Sequence, residues 1–288
     1  MKKIQETKTY LGTPITIEVV AYDKDKAERA IERAFAQAAR IEESYSRFID
    51  DNELSALNAH LGEWTEINSE FLALISFGVR VGEKTNGAFD LSVKSVLEGW
   101  GYDADYSLQE KAAGQCGQIE IKDGKIRCSA EIELGGLGKG YAIDRMVNEL
   151  ADFSNVMVNA GGDLFARGQD KDGPWKVALE HPNNEKQAIG TVEVDKFSVC
   201  ASSPLRRHWR DKHHLVNPRE NKPADQMLAV YTQADAALIA DAYSTALFAL
   251  GFEAAVKILP ELPVEALLIG PEGQGWKSDG FIGELFQS

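Results

Sequence analysis

Two oxygen-bearing side chains, Asp241 and Thr245, stand four residues apart in the apolar segment 240–247. If this segment is a helix, both side chains share one face and reach the same point. A carboxylate and a hydroxyl at that spacing suit a hard, oxygen-liking cation such as Mg²⁺. The alternative is a helix whose two polar residues face a wet groove. An unpartnered aspartate in so apolar a helix would be costly, and this favours the metal.

A glycine-rich stretch, residues 131–163, contains two turns separated by a helical spacer and a short apolar strand. Glycine allows positive φ and lets a ligand approach the backbone amides. The first turn opens a helix and includes Lys139, so it offers an ammonium group and a helix N-terminus to an anion. Each turn could also be a plain connection, the first from strand to helix and the second within a hairpin. Their closeness in sequence favours a shared phosphate ligand.

His213 and His214 are adjacent, so on a strand their side chains would point to opposite faces. At most one of them is therefore expected to face a cleft, where histidine commonly serves as a general base or a metal ligand. The alternative for either is a surface position. The basic run at residues 206–210 is either a solvated face or a contact for a phosphate or an acidic partner, and the sequence leaves this open.

Hydrophobic spacing predicts the elements that position these residues. Alternation predicts a strand over residues 15–19, and four-three spacing predicts a long helix from Asp25 to about Ser44. Further helices are predicted after a Ser69 cap, after the first glycine turn, and from about Asp235 to a C-cap at Gly251. A hairpin is predicted around residues 123–124, and later strands at residues 156–158, 164–167, 175–179, 190–194, 197–201, 228–232 and 266–269. This mixture predicts a single α+β domain over residues 1–288.

The composition of the chain excludes some classes of binding partner. The chain has 288 residues and a net charge of −14, which argues against nucleic acid and against an anionic membrane surface. No stretch approaches the ~20 apolar residues of a membrane span. The two lysines at the start precede no apolar run, so we expect no signal peptide and a cytoplasmic location. The alternative is an exported protein whose signal has been trimmed.

Seven motifs, in the same order along nearly the whole chain, resemble the ApbE family of FAD:protein FMN transferases. They are Leu-Gly-Thr at 11–13, the segment 46–58, Gly-Ala-Phe-Asp at 87–90 with Trp-Gly-Tyr after it, Gly-Gly-Leu-Gly-Lys-Gly-Tyr-Ala-Ile-Asp at 135–144, Asn-Ala-Gly-Gly-Asp at 159–163, His-Leu-Val-Asn-Pro at 214–218 and Ala-Asp-Ala-Tyr-Ser-Thr-Ala-Leu at 240–247. The resemblance implies a compact α+β, T-fold-like domain. It also implies a Mg²⁺-dependent enzyme that splits the pyrophosphate of FAD, moves FMN onto a Ser or Thr hydroxyl of a partner flavoprotein and releases AMP.

The resemblance also assigns roles to individual residues. Asp241, Thr245 and the backbone carbonyl of Gly136 match the metal ligands of the family. His214 and Asp241 match its catalytic residues, and His214 is the expected base for the acceptor hydroxyl. Positions expected to contact the flavin nucleotide are Leu11, Phe48, Ala88, Phe89, Asp90, Glu133, Lys139 and Leu215. The second glycine turn adds Asn159, Gly161 and Gly162 to the expected cofactor contacts.

Several residues depart from the family pattern. Leu11, Phe48 and Glu133 replace the usual Met, Tyr and Asp, and these changes are mild. Changes at residues 202–204, Asn217 and residues 220–221 lie around the expected base, on the acceptor side. They keep open a second activity, hydrolysis of FAD to FMN and AMP with water as acceptor. A third possibility, a flavin-binding protein without turnover, is disfavoured by the retained metal and base residues.

Overall fold

Antiparallel strand pairing organises the computed structural model, which describes residues 1–286. The strands are β1 (Lys2–Tyr10), β2 (Thr13–Ala21), β3 (Thr65–Glu66), β4 (Ile119–Lys122), β5 (Lys125–Cys128), β6 (Val156–Ala160), β7 (Asp163–Arg167), β8 (Gln169–Asp170), β9 (Gly173–His181), β10 (Asn184–Val194), β11 (Phe197–Ser202), β12 (His208–Trp209), β13 (Lys212–His213), β14 (Val216–Asn217), β15 (Lys222–Pro223), β16 (Ala229–Ala234), β17 (Glu265–Ile269), β18 (Gly275–Lys277) and β19 (Glu284–Leu285). The helices are α1 (Lys24–Tyr45), α2 (Glu53–Asn58), α3 (Ser69–Lys84), α4 (Lys94–Gly99), α5 (Gly138–Glu149), α6 (Ala237–Leu250) and α7 (Phe252–Ile258), with 3₁₀ turns at Leu91–Val93 and Leu259–Glu261.

The central sheet has eight strands in the order β1-β2-β6-β7-β11-β16-β17-β18, and each neighbouring pair is antiparallel. Alternate side chains leave opposite faces of a strand. In β2, Ile15, Ile17 and Val19 are fully buried in the core formed with the helices, whereas Val20 belongs to a second core that includes Trp175 of β9. The sheet is therefore covered by helices on one face and by the β9–β10 region on the other.

Helix α1 follows the predicted pattern. Asp23 caps it by accepting a hydrogen bond from the amide of Lys26, and a row of small residues lies buried along it. The row consists of Ala27, Ala30, Ala34 and Ala38. Small side chains let this helix lie close to α5, the helix that carries the first glycine turn.

The α+β class is confirmed, and three local expectations need correction. The cap of α3 is Asn68, whose Oδ1 accepts from the amide of Phe71, and Ser69 is the first helical residue. Helix α6 begins at Ala237, two residues after the predicted start. Strand β1 was not predicted, because its sequence is mostly polar and only Ile4 is buried; it is held by its pairing with β2.

The start of α6 is fixed by a side chain from another helix. The carboxylate of Asp144, in α5, accepts from the amides of Ala237 (2.8 Å) and Leu238 (3.0 Å). The Asp144 carboxylate replaces the N-cap side chain that α6 lacks, because Ala236 at the cap position has no side-chain acceptor. This contact fixes the two helices to each other near their crossing.

No helix within residues 1–286 is both long enough and apolar enough to span a membrane.

We predict that Asp144→Ala lowers the free energy of unfolding by about 1–2 kcal/mol, because two amides at the start of α6 lose their acceptor. Chemical denaturation measures this directly. The matched control is Asp152→Ala, which removes an exposed carboxylate paired with Lys26 and should leave stability nearly unchanged. Equal effects of the two substitutions would contradict the capping role of Asp144.

Candidate active site

One large cavity, of about 970 Å³, opens between the first glycine turn, α6 and the β9–β10 hairpin. Its volume lies at the upper end of the range of ~300–1,000 Å³ that is usual for small-molecule sites, which suits a dinucleotide. It brings together nearly all the residues singled out from the sequence. Those that line it are Leu11, Phe48, Ala88, Phe89, Asp90, Glu133, Gly136, Lys139, Gly161, Gly162, His214, Leu215, Asp241 and Thr245.

At the base of the cavity a half-buried lysine lies between two buried aspartates. Lys139 Nζ is 2.9 Å from Asp163 Oδ2 and 3.2 Å from Asp241 Oδ1. The side chains of both aspartates are at most 4% exposed, so the pairs are shielded from water. Burial by itself lowers the pKa of Lys139, but the two carboxylates outweigh it and raise the pKa. Lys139 is therefore a cation that joins α5, β7 and α6.

Asp241 occupies the anion position that the sequence offered to a phosphate. Its Oδ2 accepts from the amide of Gly140 at 2.8 Å, in the first turn of α5, and the amide of Gly138 is bonded to the Leu134 carbonyl. A carboxylate at a helix N-terminus is stabilised by the helix dipole. Burial nevertheless raises the pKa of Asp241, against the opposing effect of Lys139. A ligand phosphate would thus meet Asp241 and Lys139 rather than these two amides.

Helices α5 and α6 cross at very short range, and glycine makes this possible. A Cβ added to Gly140 would lie 2.3 Å from the carbonyl oxygen of Ala237. A Cβ added to Gly136 would lie 3.3 Å from Thr245 Cγ2, so the residue of the predicted carbonyl ligand is a close neighbour of the residue of the predicted hydroxyl ligand. Asp241 lies one turn earlier on α6, and all three residues line the cavity.

These donors fit a hard divalent cation. Around Lys139 two carboxylates face a single ammonium group, which leaves local negative charge, and a hydroxyl and a carbonyl supply neutral oxygens nearby. Within residues 1–286, the side chains of His, Cys, Asp and Glu form no group of three or more that could hold a metal by themselves. Any cation here would therefore depend on the hydroxyl, the carbonyl and water or substrate oxygens as well.

His214 is half-buried in the cavity wall, whereas its neighbour His213 does not line the cavity and packs edge-on against Phe248. Nδ1 of His214 lies 3.3 Å from the carbonyl oxygen of Arg207. A carbonyl only accepts, so Nδ1 carries the proton and Nε2 is left with its lone pair. Burial, assisted by the charge of Arg207, lowers the pKa of His214 to about 3. The ring is therefore neutral near pH 7.

The remaining expected nucleotide contacts form another part of the cavity wall. Leu11 has a left-handed backbone (φ 55°), and its amide donates to Glu42 Oε1 at 2.7 Å. Phe89 is buried, and Phe48 lies at the rim with 37% exposure. Asp90 lines the cavity and also caps the turn Leu91–Val93. Its Oδ1 accepts hydrogen bonds from the amide and from the hydroxyl of Ser92.

Asn159 stands apart from the other predicted contacts, because it does not line the cavity. Its Oδ1 accepts from the amide of Gly162 at 2.9 Å and so shapes the hairpin turn between β6 and β7. Gly161 and Gly162 have φ of 68° and 108°, as a two-residue hairpin turn requires. The second glycine motif is thus both a hairpin turn and a cavity wall.

Sequence reasoning missed several charged residues of the cavity, among them Asp163 and Arg47. Asp163 closes the Asn-Ala-Gly-Gly-Asp motif, and its position directly after the glycines was the signal that could have marked it. Arg47 lines the cavity with its side chain 4% exposed, and it lies 3.8 Å from Glu133 Oε2. An arginine in a loop gives no sign in sequence that it will be buried.

The fold and the cavity together define the class of protein: an antiparallel sheet covered by helices, with a cavity large enough for a nucleotide. The family model for "ApbE family" matches residues 11–268, and the chain belongs to the ApbE family. A crystal structure of the ApbE protein from Thermotoga maritima superposes with a TM-score of 0.88 at 25% identity, covering 96% of this chain and 97% of that one. The flavin transferase ApbE from Vibrio cholerae has a TM-score of 0.84 at 19% identity, over 97% and 98% of the two chains, which shows the shared fold.

Two curated relatives have comparable extent. A protein named FAD:protein FMN transferase from Klebsiella pneumoniae is 26% identical over 93% of this chain and 84% of its own length. One of the same name from Treponema pallidum is 27% identical over 98% of this chain and 88% of its own length. The similarity therefore extends over nearly the whole of both chains.

We predict that Lys139→Met destabilises the protein by about 3–5 kcal/mol, because it leaves two buried carboxylates facing each other without a cation. The control is Lys176→Met, which breaks an exposed pair with Glu193 on β9 and β10 and should have little effect. Urea denaturation of the two variants gives the comparison. If the Lys139 variant were as stable as the wild type, the buried cluster would not bear on stability as argued.

We also predict an acid sensitivity that depends on His214. Its folded pKa of about 3 lies below the ordinary value of 6.5, so the protein loses stability as pH falls from 6.5 toward 3. Between pH 7 and pH 5 the wild type should lose about 2 kcal/mol more than His214→Asn. Denaturation curves at both pH values test this, with His208→Asn, an exposed residue, as control. Identical pH dependence in wild type and His214→Asn would refute the prediction.

Proposed function

We propose that this chain transfers FMN from FAD to a Ser or Thr hydroxyl of a partner flavoprotein, forming a phosphoester and releasing AMP, with Mg²⁺ as the required cation. One observation carries the proposal: a single dinucleotide-sized cavity holds the Asp241–Thr245–Gly136 oxygen donors and the neutral His214 together. The FAD:protein FMN transferases that match over nearly the full chain support the same activity.

Asp241, Thr245 and the carbonyl of Gly136 would hold the cation. When bound, Mg²⁺ supplies charge neutralisation for the pyrophosphate and for the departing AMP phosphate. Lys139 adds a fixed positive charge at the base of the same cavity, held there by Asp163. Arg207 also lines this cavity. The phosphates would therefore lie between these cationic side chains.

His214 is suited to take the proton of the acceptor hydroxyl. Its Nδ1–H is directed to the Arg207 carbonyl, so Nε2 is the atom that accepts. The hydroxyl oxygen, as it loses its proton to Nε2, bonds to the FMN phosphorus, and the bond from that phosphorus to the bridging oxygen of the pyrophosphate breaks. The electron pair of that bond leaves with AMP. Because the imidazole is neutral near pH 7, Nε2 can accept this proton without first losing one.

The test incubates the protein with FAD, Mg²⁺ and a candidate acceptor flavoprotein. Covalent flavin fluorescence on the acceptor in a denaturing gel, with AMP released, is the expected result. AMP without labelling would favour hydrolysis of FAD with water as acceptor, the activity that the altered residues around His214 keep open. Neither product would contradict both enzymatic functions.

We predict that Asp241→Asn reduces Mg²⁺-dependent AMP release by about 100-fold or more, because the charged oxygen donor is lost while the side chain keeps its shape. AMP is quantified by chromatography, and circular dichroism checks that the variant folds. Asp235→Asn, an exposed aspartate just before the same helix, is the matched control and should retain activity. Undiminished turnover in the Asp241 variant would show that the cation assignment is wrong.

A further inference from the structure

Arg47 is buried in the cavity wall without adequate partners. Its side chain is 4% exposed, and neither Nη1 nor Nη2 has a hydrogen-bond partner among the described residues. Its one ion pair, from Nε to Glu133 Oε2, is long at 3.8 Å, and that oxygen already accepts from the amide of Gly135 at 2.9 Å. A buried guanidinium with two unused donor groups is costly, and such a group in a cavity wall indicates a missing partner.

Two aromatic rings lie against the guanidinium. Its central carbon is 4.3 Å from the ring centre of Phe48 and 4.6 Å from that of Tyr102. Tyr102 is held in place by stacking on Trp209, with ring centres 5.2 Å apart. Phe48 stacks on Tyr106, which is 51% exposed, so this second pair lies at the open rim of the cavity.

The carboxylate beside Arg47 decides what kind of group fits there. A phosphate placed on Nη1 and Nη2 would also approach Glu133, and like charges at short range repel. A neutral ring whose edge carries an N–H flanked by acceptor atoms satisfies both side chains, because the arginine donates and the carboxylate accepts. The pyrimidine edge of a flavin and the amino edge of an adenine both have this pattern.

We infer that Arg47 is the residue that recognises the edge of a heterocycle of the bound nucleotide, donating from Nη1 and Nη2 while Glu133 accepts a hydrogen bond from the N–H group of that edge. The ring reaches these nitrogens when the Phe48–Tyr106 pair moves outward, and the aromatic side chains then cover its face. This inference rests on the proposed function only for the identity of the nucleotide. It makes Arg47 a specificity residue, at a distance in the chain from the Lys139 cluster that faces the phosphates.

Calorimetric titration of FAD in the presence of EDTA, which prevents turnover, tests the inference. Arg47→Met should weaken FAD binding by about 10- to 100-fold, since two charge-assisted hydrogen bonds are lost. Arg47→Lys keeps the charge but not the paired planar donors, and it should weaken binding by at least about tenfold. The Lys variant also serves if the Met variant does not fold. Arg127→Met is the matched control, because Arg127 also contacts an aromatic ring (Trp64, 4.8 Å) and a glutamate but lies outside the cavity.

Fragments of FAD identify the ring. A loss confined to riboflavin assigns the flavin edge to Arg47, and a loss confined to adenosine assigns the adenine edge. Unchanged FAD affinity in both Arg47 variants, or weaker binding of inorganic pyrophosphate alone, would overturn the inference. Because this titration needs no cleavage or transfer, Arg47-dependent binding of FAD here, combined with neither AMP nor labelled acceptor in the Mg²⁺-containing assay, would remove the proposed function and leave the inference standing.

Discussion

The buried contact of one lysine with two aspartates is the constraint on which the rest of the site depends. Lys139, Asp163 and Asp241 come from α5, β7 and α6, so their charges fix three elements at one point. Charges removed from water are tolerated only when each finds a partner at close range. Any shift of one element would leave a carboxylate or an ammonium group unpaired, and the cavity base is therefore rigid.

Backbone approach between α5 and α6 follows from the same constraint. Asp241 reaches the amide of Gly140 only because the first turn of α5 lies directly against the start of α6, where a side chain at position 140 would collide with the backbone. Asp144 then fixes the start of α6 from the other side. Structural contacts and expected chemical roles are thus carried by the same few residues, so substitutions here will affect stability and activity together.

Burial also sets the chemistry of the cavity in an acidic protein. A net charge of −14 opposes anion binding over the surface as a whole, yet Lys139, Arg47 and Arg207 place positive charge on the cavity wall. Partial desolvation and the charge of Arg207 lower the pKa of His214 and keep its ring neutral, and one carbonyl orients it. The polar groups of the site are arranged before a ligand arrives, which is what efficient electrostatic catalysis requires.

The sequence by itself determined the α+β class, most helices and strands, and a set of site residues that, apart from Asn159, all line the cavity, since periodicity and local motifs carry that information. Only the tertiary structure decided that Asp241 fills the helix N-terminus offered by the glycine turn, that Asn159 shapes a hairpin and that Arg47 is buried with two unused donor groups. Strand β1 likewise forms because it pairs with β2. These outcomes depend on contacts between residues distant in the chain, whose free energy comes from desolvation and pairing that no local pattern records.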